Sequence, residues 1–392
     1  MSHSKLPKGV IALGLVSLCM DLSSEMIHSL LPVFLVTVLG ASAMSVGLIE
    51  GVAEATAAVA KVFSGVLSDW IGRRKPLVLL GYGLAALTKP LFPLATGIGA
   101  VLTARFVDRI GKGIRGAPRD ALIADITPQE VRGAAYGLRQ SMDTVGAFAG
   151  PLLAIVLMSA THDNFRLVFW VATVPAFVCV LLIVFGVEEP ETSRPAAQTS
   201  FPISRENLQR LPGRFWWVVV FAAVLTLARF SEAFLLLRAQ NLGMAVTWVP
   251  MILIVMNVVY AVSAFPFGKL SDNGSRRKLL AWGIVFLIIS DLVLALAGNI
   301  WVVGAGAAMW GLHMGATQGL LSALIADAAP ADLRGTAFGV FNLASGAALL
   351  AASIIAGGLW SSFGPAMTFY VGAAFSAVAL TGLFMDARSK SQ

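Results

Sequence analysis

The feature that most constrains this chain is a succession of apolar runs separated by short polar breaks, each about as long as the roughly 20 residues a helix needs to cross a bilayer. Twelve runs are counted, centred near Met20, Val59, Leu87, Gly111, Gly146, Ala176, Leu227, Val255, Phe286, Met314, Leu349 and Phe375. With 57% hydrophobic and 12% charged residues and a mean hydropathy of +0.82, the 392 residues hold too little polar surface for a water-soluble domain. Runs of this length predict an all-α membrane protein with twelve transmembrane helices. The first run, from about Gly9 to Leu39, is too long for a signal peptide's apolar part, lacks an A-x-A exit and contains acids, so it reads as span 1. Cys19 and Cys179 lie in different runs and read as buried thiols.

The basic excess, +7 with pI near 9.7, is distributed as a topology signal. Lys5 and Lys8 precede span 1; Arg73, Arg74 and Lys75 follow span 2; Arg132 follows span 4; Arg194, Arg205, Arg210 and Arg214 lie in or beside the long central connection. Arg276, Arg277 and Lys278 follow span 8, Arg334 follows span 10, and Arg388 and Lys390 close the chain. If the spans alternate, all fall on one side, whereas the connections around Gly40, Gly97, Gly243, Gly298 and Gly364 hold almost no Lys or Arg. The positive-inside rule then places both termini in the cytoplasm. Nucleic acid is not an expected partner.

The chain also repeats itself. "GVLSDWIGRRK" at 65–75 returns as "GKLSDNGSRRK" at 268–278, an offset of 203 (268 minus 65). "ALIADITPQEVRGAAYGL" at 121–138 returns as "ALIADAAPADLRGTAFGV" at 323–340, an offset of 202 (323 minus 121). A duplicated six-helix unit follows, with bundles at 1–187 and 214–392 and a cytoplasmic linker at 188–213.

These residues resemble the major facilitator superfamily of secondary transporters, whose G-x-L-[SA]-D-x-x-G-R-[RK]-[RK] signature follows spans 2 and 8. The first copy has Gly65, Leu67, Ser68, Asp69, Gly72, Arg73, Arg74 and Lys75; the second has Gly268, Leu270, Ser271, Asp272, Arg276, Arg277 and Lys278, with Ser275 in place of a glycine. The resemblance implies two pseudo-symmetric six-helix bundles working by alternating access, as a monomer, in the lipid bilayer of a bacterial inner membrane. It also implies a cytoplasmic gate. There Asp69 faces the helix start around Thr336 to Gly339 and Asp272 the one around Ala134 to Gly137, with Arg73 linking Asp69 to Asp125 and Arg276 linking Asp272 to Asp327. Gly146, Gly150 and Pro151 in span 5 resemble the G-x-x-x-G-P core of drug/proton antiporters, which tilts the expectation toward export.

Charge inside the spans is concentrated in the first half. Asp21, Glu25 and His28 share one face of span 1, with Asp21 roughly 18 Å and Glu25 roughly 24 Å from the cytoplasmic entry at 1.5 Å per residue. Span 2 carries Glu50 and Glu54, and span 4 carries Arg105, Asp108, Arg109 and Lys112 at threes and fours. Arg105 precedes Arg109 by four residues, where the family pattern has glycine. A charge at mid-membrane costs about 2.5–3.5 kcal/mol on insertion scales, so several together demand pairing or a wet cavity. Toward the cytoplasm Arg115, Arg119 and Asp120 continue the stripe, joined by Lys61, Arg139 and Asp143. The second half is barer, with Arg229, Glu232 and Arg238 in span 7, Asp291 in span 9 and His313 and Gln318 in span 10.

The expectation is a proton-coupled exporter in which Asp21 and Glu25, compensated by Arg105 or Arg109, exchange protons for a cationic substrate. Permanent ion pairs that fix helix packing are the competing reading of the same acids. A drug-like organic cation fits the carboxylates. A divalent metal fits Asp21, Glu25 and His28, with His313, Met309 and Met314 as further donors. The span 4 arginines also suit an anion such as an organophosphate, carboxylate or siderophore. A channel or scramblase is the less favoured class. No nucleophile and base stand at convincing spacing, and there is no phosphate loop or H-E-x-x-H, so neither an enzyme nor a cofactor is expected.

Overall fold

The computed structural model describes residues 6–71, 73–189, 205–273, 275–330 and 333–388. Among them all regular structure is helical. In chain order it comprises α1 (Lys8–His28), α2 (Leu31–Thr37), α3 (Ala43–Ile71), α4 (Lys75–Thr88), α5 (Leu91–Leu94), α6 (Ile98–Ile126), α7 (Arg132–Ala160), α8 (Phe165–Gly186), α9 (Arg205–Gln209), α10 (Gly213–Ala228), α11 (Ala233–Asn241), α12 (Met251–Asn273), α13 (Arg276–Ala295), α14 (Ile300–Ala328), α15 (Arg334–Phe363) and α16 (Pro365–Arg388). Nine stretches among the described residues are long and apolar enough to cross a membrane, and Lys8–Thr37, Lys75–Leu94 and Gly213–Asn241 are each one span made of two helices. With α3, α6 and α14, which have 29 residues each, the twelve centres read from the sequence fall on twelve separate segments.

The chain packs as two compact units, residues 1–31 with 56–201 and residues 32–55 with 202–392. Division by covalent halves, 1–187 and 214–392, differs from this in one place: α2 and the first part of α3 pack with the second unit. Within the stretch 188–213, Glu189 is bound to the start of α4, and α9 follows further on.

In the first unit α1 lies against α7 and α8, and α4 against α6. Leu13, Val16 and Met20 of α1, Val78 and Tyr82 of α4, Leu122 of α6 and Cys179 of α8 form one apolar core, the expected surroundings of that thiol. Missing side chains set the helix spacing. A Cβ on Gly146 would lie 2.8 Å from Leu18 O, and one on Gly150 would lie 2.7 Å from Glu25 Cβ and 3.0 Å from Leu22 O. The G-x-x-x-G of span 5 is therefore the surface on which the charged stretch of α1 rests.

In the second unit α14 packs on α12 and α13, and α13 on α16. Gly311 and Gly315 of α14 meet Met256 O and Ser263 Oγ of α12, and Gly357 of α15 meets Ala43 O of α3 at 2.7 Å from its Cβ position. Ser275, which replaces the signature glycine, caps α13 by accepting from Lys278 N at 3.4 Å. Gly243 and Gly364 turn the chain at φ +86° and +91°, where a side chain would be strained. The duplication is visible in the helix bounds: α6 and α14 are offset by 202 residues at their first positions. Both spans that open a half are also interrupted, at 29–30 and at 229–232.

Candidate functional site

Asp21 and Glu25 are held over the α7 glycines and are half-buried. Neither accepts a hydrogen bond or joins an ion pair among the described residues. The charges acting on Asp21 are those of Asp143, Arg115, Lys112 and Glu25. The expected compensation by Arg105 or Arg109 is corrected here, because both guanidinia are turned to other partners.

Those partners form an outer polar group in the same unit. Arg105 Nη2 donates to His28 Nδ1 at 2.7 Å; a guanidinium only donates, so this imidazole nitrogen is the acceptor. Lys89, between α4 and α5, is 2% exposed; its Nζ donates to Asp108 Oδ1 at 2.9 Å and to Ser24 Oγ at 3.0 Å. Arg109 Nε lies 3.9 Å from Asp108 Oδ2. Asp108 is thus neutralised in place. Lys89 escaped the sequence reading because it stands alone beside Pro90 in a connection otherwise poor in Lys and Arg; its one signal is that isolation. The imagined metal site is also corrected: among the described residues no group of three His, Cys, Asp or Glu is placed to hold an ion, and His28 is taken by Arg105.

A second polar group lies further along α6. The Arg115 guanidinium sits 4.4 Å from the centroid of the Tyr82 ring. Arg119 donates to Ser17 Oγ at 3.1 Å and to Tyr82 Oη at 3.3 Å, and its Nε is 3.2 Å from Asp120 Oδ1. Arg139 Nη1 bonds Asp143 Oδ2 at 2.7 Å on α7. Lys112 is also engaged. The two polar groups therefore leave Asp21 and Glu25 as carboxylates without a bound partner beside cations that already have one.

At the signature loop Arg74, rather than Arg73, approaches Asp125, with Nε 3.6 Å from Oδ2, and Arg74 Nη1 donates to Ser68 Oγ at 2.5 Å. Glu189 accepts from the backbone N–H of both Arg74 and Lys75, placing a carboxylate on the α4 N-terminus that the sequence reading assigned to the linker. Arg276 Nη1 lies 2.5 Å from Asp327 Oδ2, the pairing the resemblance implies. The side chains of Asp69 and Asp272 lie outside the described residues.

In the second unit Arg229 and Glu232 flank the interruption between α10 and α11. His313 is buried on α14 with Nδ1 2.8 Å from Gly283 O, and Tyr260 Oη donates to Gln318 Oε1 at 3.0 Å. Arg238 is a structural cap: it donates to Leu294 O at 3.0 Å, Ala295 O at 3.2 Å and Ala297 O at 2.9 Å at the end of α13. Glu50 is buried and Glu54 half-buried on the part of α3 that packs with this unit.

A twelve-span, duplicated helical fold with polar groups inside its bundles defines a membrane carrier. The Major Facilitator Superfamily model matches residues 13–255 and 227–392, and the chain belongs to that family of transporters. It is 33% identical over 381 residues to an MFS-type transporter of Methanocaldococcus jannaschii, covering 95% of this chain and 94% of that one. Over 254 residues it is 28% identical to the multidrug resistance protein MdtG of Proteus mirabilis, covering 63% of this chain and 62% of that one. Its fold matches the solved nucleoside transporter NupG at a TM-score of 0.80 with 13% identity, covering 96% of this chain and 99% of that one.

Proposed function

We propose that this transporter is a proton-coupled exporter of lipophilic organic cations, working as a monomer in a bacterial inner membrane with both termini in the cytoplasm. The observation that carries the reading is the contrast within the first unit: Asp108 is neutralised by Lys89, while Asp21 and Glu25 hold no hydrogen bond or ion pair among the described residues and are partly exposed. Carboxylates left without a partner at membrane depth are suited to take a proton or an incoming cation in exchange. Similarity to a multidrug resistance protein supports export. The anion reading loses support because Arg105, Arg115 and Arg119 are occupied by His28, Tyr82 and Ser17, and the metal reading because no ligand group is assembled among the described residues. The signature loops with Arg74–Asp125 and Arg276–Asp327 are the gate in this reading, Asp69 and Asp272 completing it.

The test is accumulation of tetraphenylphosphonium in proteoliposomes under an imposed pH gradient. Uptake driven by an acid interior and collapsed by a protonophore is the expected result. Equal accumulation with and without the gradient would remove proton coupling.

A further inference from the structure

The offset of 202 residues that relates α14 to α6 also carries His28, Lys89 and Asp108 onto Phe230, Asp291 and Trp310. In the first unit the buried Lys89 has Asp108 as its counter-ion. In the second, Asp291 is 0% exposed on α13, and the counter-ion's place in the repeat belongs to an indole. Both Asp291 carboxyl oxygens are buried without a hydrogen-bond partner among the described residues. The charged or titratable groups of this unit's spans have other surroundings: Arg238 of α11 bonds the α13 carbonyls, His313 of α14 bonds Gly283 O, and Arg229 stands in the interruption with Glu232. None of them bonds or pairs with Asp291.

The seal around this carboxyl is apolar and close. A Cβ built on Gly372 of α16 would lie 2.8 Å from Asp291 Oδ2 and 3.0 Å from Phe230 Cε1, so the absence of a side chain at 372 leaves the carboxyl its place beside the Phe230 ring. Phe230 stands in the non-helical interruption at 229–232. Its ring centroid is 5.4 Å from that of Trp310 and 5.5 Å from that of Phe369, which is 6.3 Å from Trp360. Trp360 in turn lines a cavity of about 460 Å³ with Val36, Ser42, Gln240, Asn241 and Ser361, all in the same unit. Aromatic rings thus run from the carboxyl to a polar-edged cavity. A bare carboxylate without donors or cations is very costly at membrane depth, whereas the protonated acid is far cheaper.

We propose that Asp291 is a second proton-binding residue of the carrier, exchanging its proton with the cavity at Trp360 when the interruption at 229–232 moves Phe230 off it. Its part in coupling rests on the proton-coupled reading given above; its occupancy by a proton does not. Infrared difference spectra of the purified full-length protein, recorded against pH, test that occupancy. A carboxylic C=O band present in wild type and absent in Asp291→Asn is expected. Gly372→Ala, which keeps the acid but presses a methyl against it, is expected to shift the band. In proteoliposomes, protons released per tetraphenylphosphonium taken up are expected to fall in Asp291→Asn without vanishing. An identical band in Asp291→Asn, or unchanged protons per cation in that variant, overturns the proposal. If wild type releases no protons on cation addition, the proton-coupled reading fails by itself and the band still decides whether Asp291 holds a proton.

Discussion

Helices α6 and α14 hold the same place in the two copies of the repeat, yet they solve burial by opposite chemistry. Between Arg105 and Arg119, α6 carries Arg105, Asp108, Arg109, Lys112, Arg115 and Arg119; at the offset of 202 α14 has Ala307, Trp310, Gly311, Met314, Thr317 and Leu321. On α6 the charges are satisfied by neighbours, as in Lys89 with Asp108 and Arg105 with His28. On α14 the same positions carry no charge and form a largely apolar seam, with Trp310 in an aromatic cluster, Gly311 and Gly315 against α12 and His313 bonded to Gly283 O. The fold thus asks for helix spacing and satisfied polar groups, and is indifferent to whether ion pairs or rings supply the filling. The acids that meet neither rule, Asp21 and Glu25 in one unit and Asp291 in the other, are those to which the proposed proton exchange is assigned.

Substitutions in each unit break this contrast, the largest effect expected in the apolar seam. Trp310→Ala removes a fully buried indole and is expected to cost about 3–5 kcal/mol, read as early thermal unfolding in detergent. Lys89→Met leaves Asp108 without its closest cation and is expected to cost about 3 kcal/mol, with the double variant Lys89→Met/Asp108→Leu recovering most of it. If the single variant unfolds like wild type, the outer polar group does not hold the first unit together. Gly150→Ala puts a methyl 2.7 Å from Glu25 Cβ, an overpacking of about 1–3 kcal/mol. Gly137→Ala on the same helix meets nothing within 4 Å and should be neutral or slightly stabilising in the same melt. The smallest destabilisation is expected for Arg276→Gln at an exposed pair, at most about 1 kcal/mol, with a slowed transport cycle as the sharper readout if the pair is part of a gate.

Spans and duplication were legible because lipid makes helix length a composition signal and because two signatures recur at nearly one offset. The G-x-x-x-G of α7 was legible as a motif, though not as the surface that carries the Asp21–Glu25 turn of α1. Which cation meets which acid was not legible. Spacing along α6 places its charges on a face, but Lys89 comes from a neighbouring connection and captures Asp108, and His28 takes Arg105. The contact of Glu189 was not legible because a residue at the edge of a polar linker gives no sign of reaching back to a helix start. Asp291 was visible as an isolated acid, while its sealing by Phe230 and Gly372 depends on helices distant in sequence.

The most direct measurement is proton release from proteoliposomes on addition of tetraphenylphosphonium, followed with an internal pH dye for wild type, Asp21→Asn/Glu25→Gln and Asp108→Asn. If the unpartnered acids of α1 carry the coupling, release is abolished in the double variant, while in Asp108→Asn it persists in whatever fraction of the protein folds. Release that survives in Asp21→Asn/Glu25→Gln and disappears in well-folded Asp108→Asn would contradict the account, making the paired acid of α6 the coupling residue and those of α1 structural.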